Sequence, residues 1–351
     1  MHRPLIRSWL PLWAVLVLYP FSAFALTYEV ASPGTSVIGE VLFTESRKED
    51  TLLDIARIYD VGYEEIRLAN PKVDPWLPGE DTRIRIPTLF VLPDAPREGL
   101  VINLAEKRLY YYPPPDSPNG GAREVITHPI SIGREGWETP LGTTRIIRKD
   151  VDPVWTPPQS IKDEHAEKGD PLPDRVLPGP DNPLGSYALR LGFAGYLIHG
   201  TNKPYGIGME VSHGCIRMMP EDIESLFAMI PIGTKVHIVD QPFKAGWRGD
   251  VLYLEVHPKL RRGNLKQTKW LDLSKMVQVL IKSTQEEGEE RIFVDWSKAN
   301  EIAKLASGIP EPTGKRLQDG AQPKARGHMP TPTTRKYNLL PEWVPINPAT
   351  K

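Results

Sequence analysis

Cys215 is the only cysteine in 351 residues, and the chain holds eight histidines. Two of these, His199 and His213, lie close to the cysteine in sequence, within the stretch Ile198 to Met218. A thiol attacks a carbonyl only as thiolate, and a free pKa of about 8.5 leaves little thiolate at neutral pH. A nearby imidazole can take the proton. Two histidines compete for that role. His213 stands two residues before Cys215, so in an extended strand both would point to one face, and in a tight turn His213 would be re-aimed. His199 is separated by fifteen residues, enough for a loop to return and face the thiol. Gly214 allows a sharp turn before the nucleophile. That turn can aim the N–H groups of Gly214 and Cys215 at a tetrahedral oxyanion. Arg217 is suited to a substrate carboxylate or a structural acid. The bland account of Cys215 is a small buried hydrophobe; its neighbours favour chemistry.

Short strands must hold these residues. Gly99–Leu104 and Arg108–Tyr112 read as a hairpin across Ala105 to Lys107. Further strands are expected over 124–132, 144–148, 187–191, 195–198 and 234–239, with a helix over 220–227 that starts on Pro220 and has acids in its first turn. Thirty-seven prolines and 28 glycines suit loop-rich β structure better than long helices. The strand at 195–198 delivers His199 to its end. Residues 150–183 are long, polar and proline-rich, the character of a functional flap. Alternation within a strand explains Tyr110 to Tyr112 more simply than a carbohydrate platform does, and Trp155 can cover substrate or pack within the flap.

Upstream, Val41–Phe43 reads as a strand. A helix follows over 50–59, with Leu52, Ile55, Ala56 and Tyr59 on one face, then a second over 63–69 closed by Asn70-Pro71. Arg83–Ile86 is a strand ended by Pro87. Downstream, 251–257 is expected as a strand, with helices over 271–285 and 295–307, the latter capped by Asp295 and stopped by Gly308. The segment from Ile309 reads as a disordered tail.

The first residues have the pattern of an export signal. His2, Arg3 and Arg7 precede an apolar run, Trp9 to Phe21, and Ala23-Phe24-Ala25 is a small-x-small cleavage site. The run is short for a membrane span and contains Pro11 and Pro20. Cleavage after Ala25 and a periplasmic protein without a transmembrane segment are the expectation, and no cysteine follows the site to carry a lipid anchor. The formal net charge is −1. Losing Arg3 and Arg7 makes it more negative, which argues against nucleic acid as a partner.

Two resemblances sharpen the reading. His199, fifteen residues, then Ser212-His213-Gly214-Cys215 and Arg217, together with Thr139-Pro140-Leu141-Gly142 and Ile198-His199-Gly200-Thr201, resemble the L,D-transpeptidase catalytic domain of the YkuD type over about 97–240. Asp50-Thr51-Leu52, Ile55-Ala56, Leu68-Ala69-Asn70-Pro71, Leu77-Pro78-Gly79 and Ile84–Pro87 resemble LysM, a small βααβ module that binds N-acetylglucosamine polymers. Glu49 stands where that family carries glycine. The implied organisation is a signal at 1–25, a LysM domain at 26–91 with its core at 40–87, the catalytic domain at 97–240, an accessory region at 241–308 and a disordered tail at 309–351. The implied fold is a mainly β catalytic domain (a β-sandwich), a small α+β LysM domain and a partly helical C-terminal region.

The first resemblance implies that Cys215 is the nucleophile and His199 the general base, oriented by the Gly200 carbonyl. An imidazole nitrogen of His199 should then lie within roughly 3–4 Å of the sulfur. Gly214 contributes to the oxyanion hole, and His213, Ser212 and Arg217 line the substrate site. No cofactor or metal is expected. The implied reaction cuts a diamino acid–D-alanine bond in a tetrapeptide stem of peptidoglycan, passes through a thioester and transfers the acyl group to an amine. Carbapenems are the implied inhibitors. The whole chain resembles the enterobacterial periplasmic group that joins a Braun-type lipoprotein to peptidoglycan through a C-terminal lysine. Crosslinking of two stems and hydrolytic removal of the lipoprotein are the alternatives. The second resemblance implies glycan contacts at Asp50, Thr51, Asn70 and Pro71.

Rival readings fare less well. A zinc site from His199, His213, Cys215 and His237 lacks any standard ligand spacing. Papain-type enzymes place the cysteine before the histidine, the reverse of the order here. A glycan-binding adaptor would leave Cys215 unexplained. His128, His165, His257 and His328 belong to no constellation that spacing reveals.

Overall fold

The computed structural model describes residues 26–30, 34–114, 123–260, 273–285 and 292–317. The export signal, His328 and residues 318–351 of the expected tail lie outside them.

The chain runs through β1 (Leu26–Val30), β2 (Val37–Glu45), α1 (Leu52–Ile58), α2 (Tyr63–Ala69), β3 (Arg83–Val91), β4 (Gly99–Asn103), β5 (Arg108–Tyr112), β6 (Arg123–Pro129), β7 (Ile132–Gly133) and β8 (Gly142–Val151). It continues with α3 (Gln159–Glu167), β9 (Tyr187–Leu191), β10 (Leu197–His199), β11 (Glu210–Ser212), β12 (Ile216–Arg217), α4 (Pro220–Met229) and β13 (Lys235–Val239). The last part holds β14 (Phe243–Arg248), β15 (Val251–Val256), α5 (Leu273–Gln285), β16 (Ile292–Val294), α6 (Trp296–Leu305) and β17 (Glu311–Arg316).

The architecture is mainly β, as the strand spacing predicts. A nine-stranded sheet runs β1-β6-β5-β4-β13-β8-β9-β10-β12. One apolar core takes residues from both arms of this sheet: Leu100, Leu109, Ile126 and Val236 from one, Leu189, Ile198 and Ile216 from the other, and Ile223 and Leu226 from α4. Strand β5 is buried on both faces. Leu109 and Tyr111 enter this core, while Tyr110 and Tyr112 enter a second one with Val30, Phe90 and Val125. The three tyrosines are therefore packing residues, not a platform.

The strand–helix–helix–strand order upstream is present, and β2 pairs antiparallel with β3. Thr51 caps α1 in a capping box with Asp54. Strand β3 does not end at Pro87 as expected; it runs on to Val91 with Pro87 opposite Val41. Since β3 pairs only with β2 among the described residues, its other edge makes no ladder there, and a missing N–H is tolerated.

This βααβ unit is packed on its neighbours. β1, assigned above to the same module, pairs with β6 of the large sheet. Leu92, at the start of the expected linker, is buried and its N–H donates to Ser36 O. Arg108 on β5 is fully buried and reaches Glu65 of α2 with Nε–Oε1 at 2.7 Å and a second N–O contact at 2.8 Å.

The C-terminal region is a four-stranded sheet, β14-β15-β17-β16, with α5 and α6 packed on it around Leu252, Leu254, Leu280 and Ile302. Helix α6 is capped by Asp295 as expected. The disorder expected from Ile309 does not hold at its start, because β17 pairs with both β15 and β16. The proline and basic content of 309–317 masked a strand whose partners lie elsewhere in the chain. A buried charge network ties this region to the β4–β5 turn: Lys244 sits between Glu106 and Glu255, and His257 reaches Glu255.

Candidate active site

Strand β10 pairs parallel with β12, with Ile198 opposite Ile216 and His199 opposite Arg217. Ile198 and Ile216 are buried in the core. Side chains alternate along a strand, so His199, Arg217 and the adjoining Cys215 turn to the other face together. Residues sixteen apart in sequence become diagonal neighbours across two strands.

The loop between these strands is braced from several sides. The Gly214 carbonyl accepts from the Thr139 hydroxyl at 2.8 Å, and that hydroxyl accepts from the Gly133 N–H at 3.1 Å. Gly214 has φ +97°, and a Cβ there would lie 2.9 Å from the Tyr196 ring, so only glycine fits. The Ser212 hydroxyl donates to the Cys215 carbonyl and accepts from the Gly214 N–H at 3.1 Å. The βααβ unit touches the same loop: the Tyr63 N–H donates to Ile207 O at 3.1 Å.

His199 is buried, and its Nδ1 lies 2.6 Å from the Gly200 carbonyl. A carbonyl only accepts, so Nδ1 carries the proton and Nε2 is left as the base. Burial, with the Arg217 charge adding to it, drives the imidazole pKa down to about 3, against the carbonyls of Gly200 and Leu184. The half-buried Cys215 thiol donates to the Gly195 carbonyl at 3.7 Å; no hydrogen bond joins it to His199 among the described residues. Burial raises the thiol pKa, partly countered by the Leu197 N–H and Arg217. Arg217 is itself mostly buried, and its Nε has no hydrogen-bond partner among the described residues.

The polar stretch 150–183 does approach the site, although its helix α3 was not foreseen. Glu164 on α3 meets His213 Nε2 at 2.9 Å and also pairs with Arg134. Arg134 comes within 3.0 Å of the same nitrogen. Nε2 cannot serve both, and the carboxylate requires it to donate. Burial lowers the His213 pKa, so the ring is neutral and its Nδ1 is the free acceptor. Trp137 packs edge-on against the His213 ring at 4.8 Å. Asn182, fully buried, donates to the carbonyls of Pro153, Val176 and Leu177 and accepts from the Leu184 N–H. Trp155 pairs with Val176 in the same flap. Arg134, Trp137, Glu164 and Asn182 carry no local motif; the length and polarity of the flap pointed toward Glu164 and Asn182, and nothing in the sequence pointed toward Arg134 or Trp137.

Residues 97–238 match the L,D-transpeptidase catalytic domain of the YkuD family. The chain is 43% identical over 243 residues to the probable L,D-transpeptidase YbiS of Escherichia coli K12, covering 68% of this chain and 77% of that protein. It is 37% identical over 313 residues to the probable L,D-transpeptidase ErfK/SrfK of Salmonella typhimurium, covering 87% of this chain and 96% of that protein. This chain belongs to the L,D-transpeptidase family. A further relative, the probable L,D-transpeptidase YcfS of Escherichia coli K12, is 37% identical over 304 residues, or 85% and 91% of the two chains.

Within this transpeptidase the structure revises several assigned roles. The Gly214 N–H is occupied by Ser212, so it is not free for an oxyanion. Because the Gly214 carbonyl points to Thr139, the trans peptide turns the Cys215 N–H the opposite way. Ser212 is buried and braces the turn, which removes it from the substrate surface. In the βααβ unit, Asn70 is buried and bonds Ile66 O, Arg85 O and the Arg85 N–H, which takes it out of any glycan surface. The Thr51 side chain serves the α1 cap, and Asp50 accepts from the Arg47 N–H. Pro71 is exposed. His237 faces Thr143 and Glu98, apart from Cys215, so the rival zinc quartet does not assemble. His165 pairs near the surface with Asp170.

A raised thiol beside a depressed imidazole means that the resting pair is neutral. Alkylation of Cys215 by iodoacetamide should therefore climb about tenfold per pH unit from pH 7 to 9, following the thiolate fraction. A reactive plateau at acid pH, the mark of a thiolate–imidazolium pair, would contradict this.

Proposed function

We propose that this L,D-transpeptidase works through Cys215 on a peptidoglycan tetrapeptide stem and delivers the acyl group to the C-terminal lysine of a Braun-type lipoprotein. The single observation that carries the chemistry is the lock of His199 Nδ1–H on the Gly200 carbonyl, which commits Nε2 to the proton transfers.

The steps follow from the groups at hand. The substrate carbonyl, from the diamino acid third in the stem, displaces the weak thiol contact to Gly195. Cys215 Sγ bonds to the carbonyl carbon as the thiol proton passes to His199 Nε2. The oxyanion forms against the Cys215 N–H. Collapse breaks the bond to D-alanine, whose nitrogen takes the proton from His199, and leaves a thioester. An incoming amine attacks the thioester, gives its proton to His199 and restores the thiol. Arg217, cationic and with its Nε unpartnered, is placed to meet the carboxylate of the leaving D-alanine. His213, held by Glu164 and Trp137, forms a wall of the site.

The acceptor rests on the layout of the whole chain, a βααβ unit of LysM pattern followed by the catalytic domain and a C-terminal region, which resembles the lipoprotein-tethering group. Glycan binding by the βααβ unit and a periplasmic location after signal cleavage belong to the same reading. The test is mass spectrometry of peptidoglycan from cells with and without the protein. Lysine-linked lipoprotein stems that depend on it support tethering. Loss of only diamino acid crosslinks would assign the crosslinking role, and an excess of lipoprotein-linked stems without the protein would assign the hydrolytic one.

A further inference from the structure

Asp60, His128 and Asp222 are far apart in sequence and meet where three parts of the fold join. Asp60 lies in the α1–α2 turn with φ +49°. His128 lies on β6 and Asp222 in the first turn of α4. His128 Nδ1 stands 3.2 Å from Asp60 Oδ2 and 3.4 Å from Asp222 Oδ1, and one ligand atom from each residue lies within 4.8 Å of the others.

These approaches lack the alignment of hydrogen bonds. Both ring nitrogens of His128, Oδ2 of Asp60 and Oδ2 of Asp222 are buried without a hydrogen-bond partner among the described residues. His128 is 0% exposed and Asp222 6% exposed. Leaving such groups unpaired in an apolar interior is costly. The nearby cations are already engaged: Arg57 with Glu221 and Arg108 with Glu65. The buried Asp222 carboxyl and the partly exposed Asp60 carboxyl therefore both face one imidazole nitrogen, which can donate to only one of them.

A metal ion resolves this imbalance. Ligands at about 2.0–2.1 Å around a tetrahedral zinc ion lie roughly 3.3 Å from one another, which matches the observed separations. One imidazole nitrogen and two carboxylates suit a borderline cation. A cavity of about 60 Å³, lined by Arg57, Asp60, Met219, Glu221 and Asp222, adjoins the cluster. It has room for water as a fourth ligand.

We propose that Asp60, His128 and Asp222 form a divalent-cation site of the zinc class. It joins the βααβ unit to the large sheet and to α4. Helix α4 follows Cys215 and Arg217 by only a few residues, so the ion fixes the base of the catalytic loop without touching substrate.

The test uses the full chain carrying Cys215→Ala, so that the thiol cannot contribute a ligand. After removal of metal with a chelator, zinc is added and followed by calorimetry, by elemental analysis after gel filtration and by thermal unfolding. The expected result is about one zinc per chain, with a midpoint rise of roughly 5 °C or more when zinc is at about a hundred times its Kd. Adding Asp60→Asn or Asp222→Asn should abolish both effects. Should Asp222→Asn fail to fold, Asp60→Asn, in a partly exposed turn, carries the test alone. No zinc retained by the Cys215→Ala protein, or uptake unchanged by Asp60→Asn, overturns the proposal.

Discussion

Cys215→Ala is expected to abolish acyl transfer, with a fall on the order of 10⁴-fold or more, because no other group can hold the acyl chain. The fold should persist. Cys215 is only partly buried, and its sulfur makes weak contacts to the Gly195 carbonyl and the Leu197 N–H, so stability should change by about 1 kcal/mol or less. Cys215→Ser should be almost as inactive, since a hydroxyl is far harder to ionise and burial already opposes ionisation of the thiol. The measurement is intact mass after incubation with a carbapenem. An adduct should form on the native chain and on neither variant. Substantial transfer by Cys215→Ala would remove this cysteine from the mechanism and leave the bracing of its loop without a catalytic purpose.

Glu65→Ala should cost about 3–5 kcal/mol of stability, the range for removing one partner of a buried ion pair. Arg108 is fully enclosed, and its guanidinium lies over the Phe90 ring at 4.3 Å. Its Nε and one terminal nitrogen both donate to Glu65, and a terminal nitrogen also donates to Asp60 O at 3.0 Å. Losing the carboxylate strands a cation that water cannot reach. The Gly62 N–H, which donates to Glu65 at the start of α2, also loses its acceptor. The double variant Glu65→Leu with Arg108→Met should recover much of the loss, because replacing both partners removes the stranded charge. Urea unfolding measures both proteins. A Glu65→Ala protein within about 1 kcal/mol of the native chain would mean that water enters this interface.

The same pair bears on how the βααβ unit works. A domain free on a linker could be removed without disturbing the chemistry. Here Glu65 meets Arg108, Arg57 meets Glu221 of α4, and the Tyr63 N–H meets the Ile207 carbonyl in the loop between His199 and Cys215. Removing the unit would expose Arg108 and strip contacts from that loop. The unit is therefore a support for the site as well as a candidate glycan binder.

Local sequence carried the chemistry and most of the elements. Thiol, imidazole and glycine placed together identify a nucleophile, and the Ser212–Arg217 motif carries the resemblance to the family now shown. Short apolar runs between turn residues marked β4, β5, β9 and β13; apolar spacing near four marked α1 and α5, Pro220 with the acids after it marked α4, and the Asp295 cap marked α6. Pairing was not written there. Which strand faces β17, which acid meets Arg108 and which three residues surround His128 depend on segments distant in the chain, and charge alone does not name a partner. The Ser212 and Gly214 roles went astray for a related reason: a residue type says what a side chain can donate or accept, but only the folded loop shows that the bond is already used. Asn70 is the same case, polar in the sequence and fully committed to its own backbone neighbours once β3 packs beside α2. The tertiary structure decided these points because burial forces every polar group to find a partner, and that partner is whatever the fold brings near.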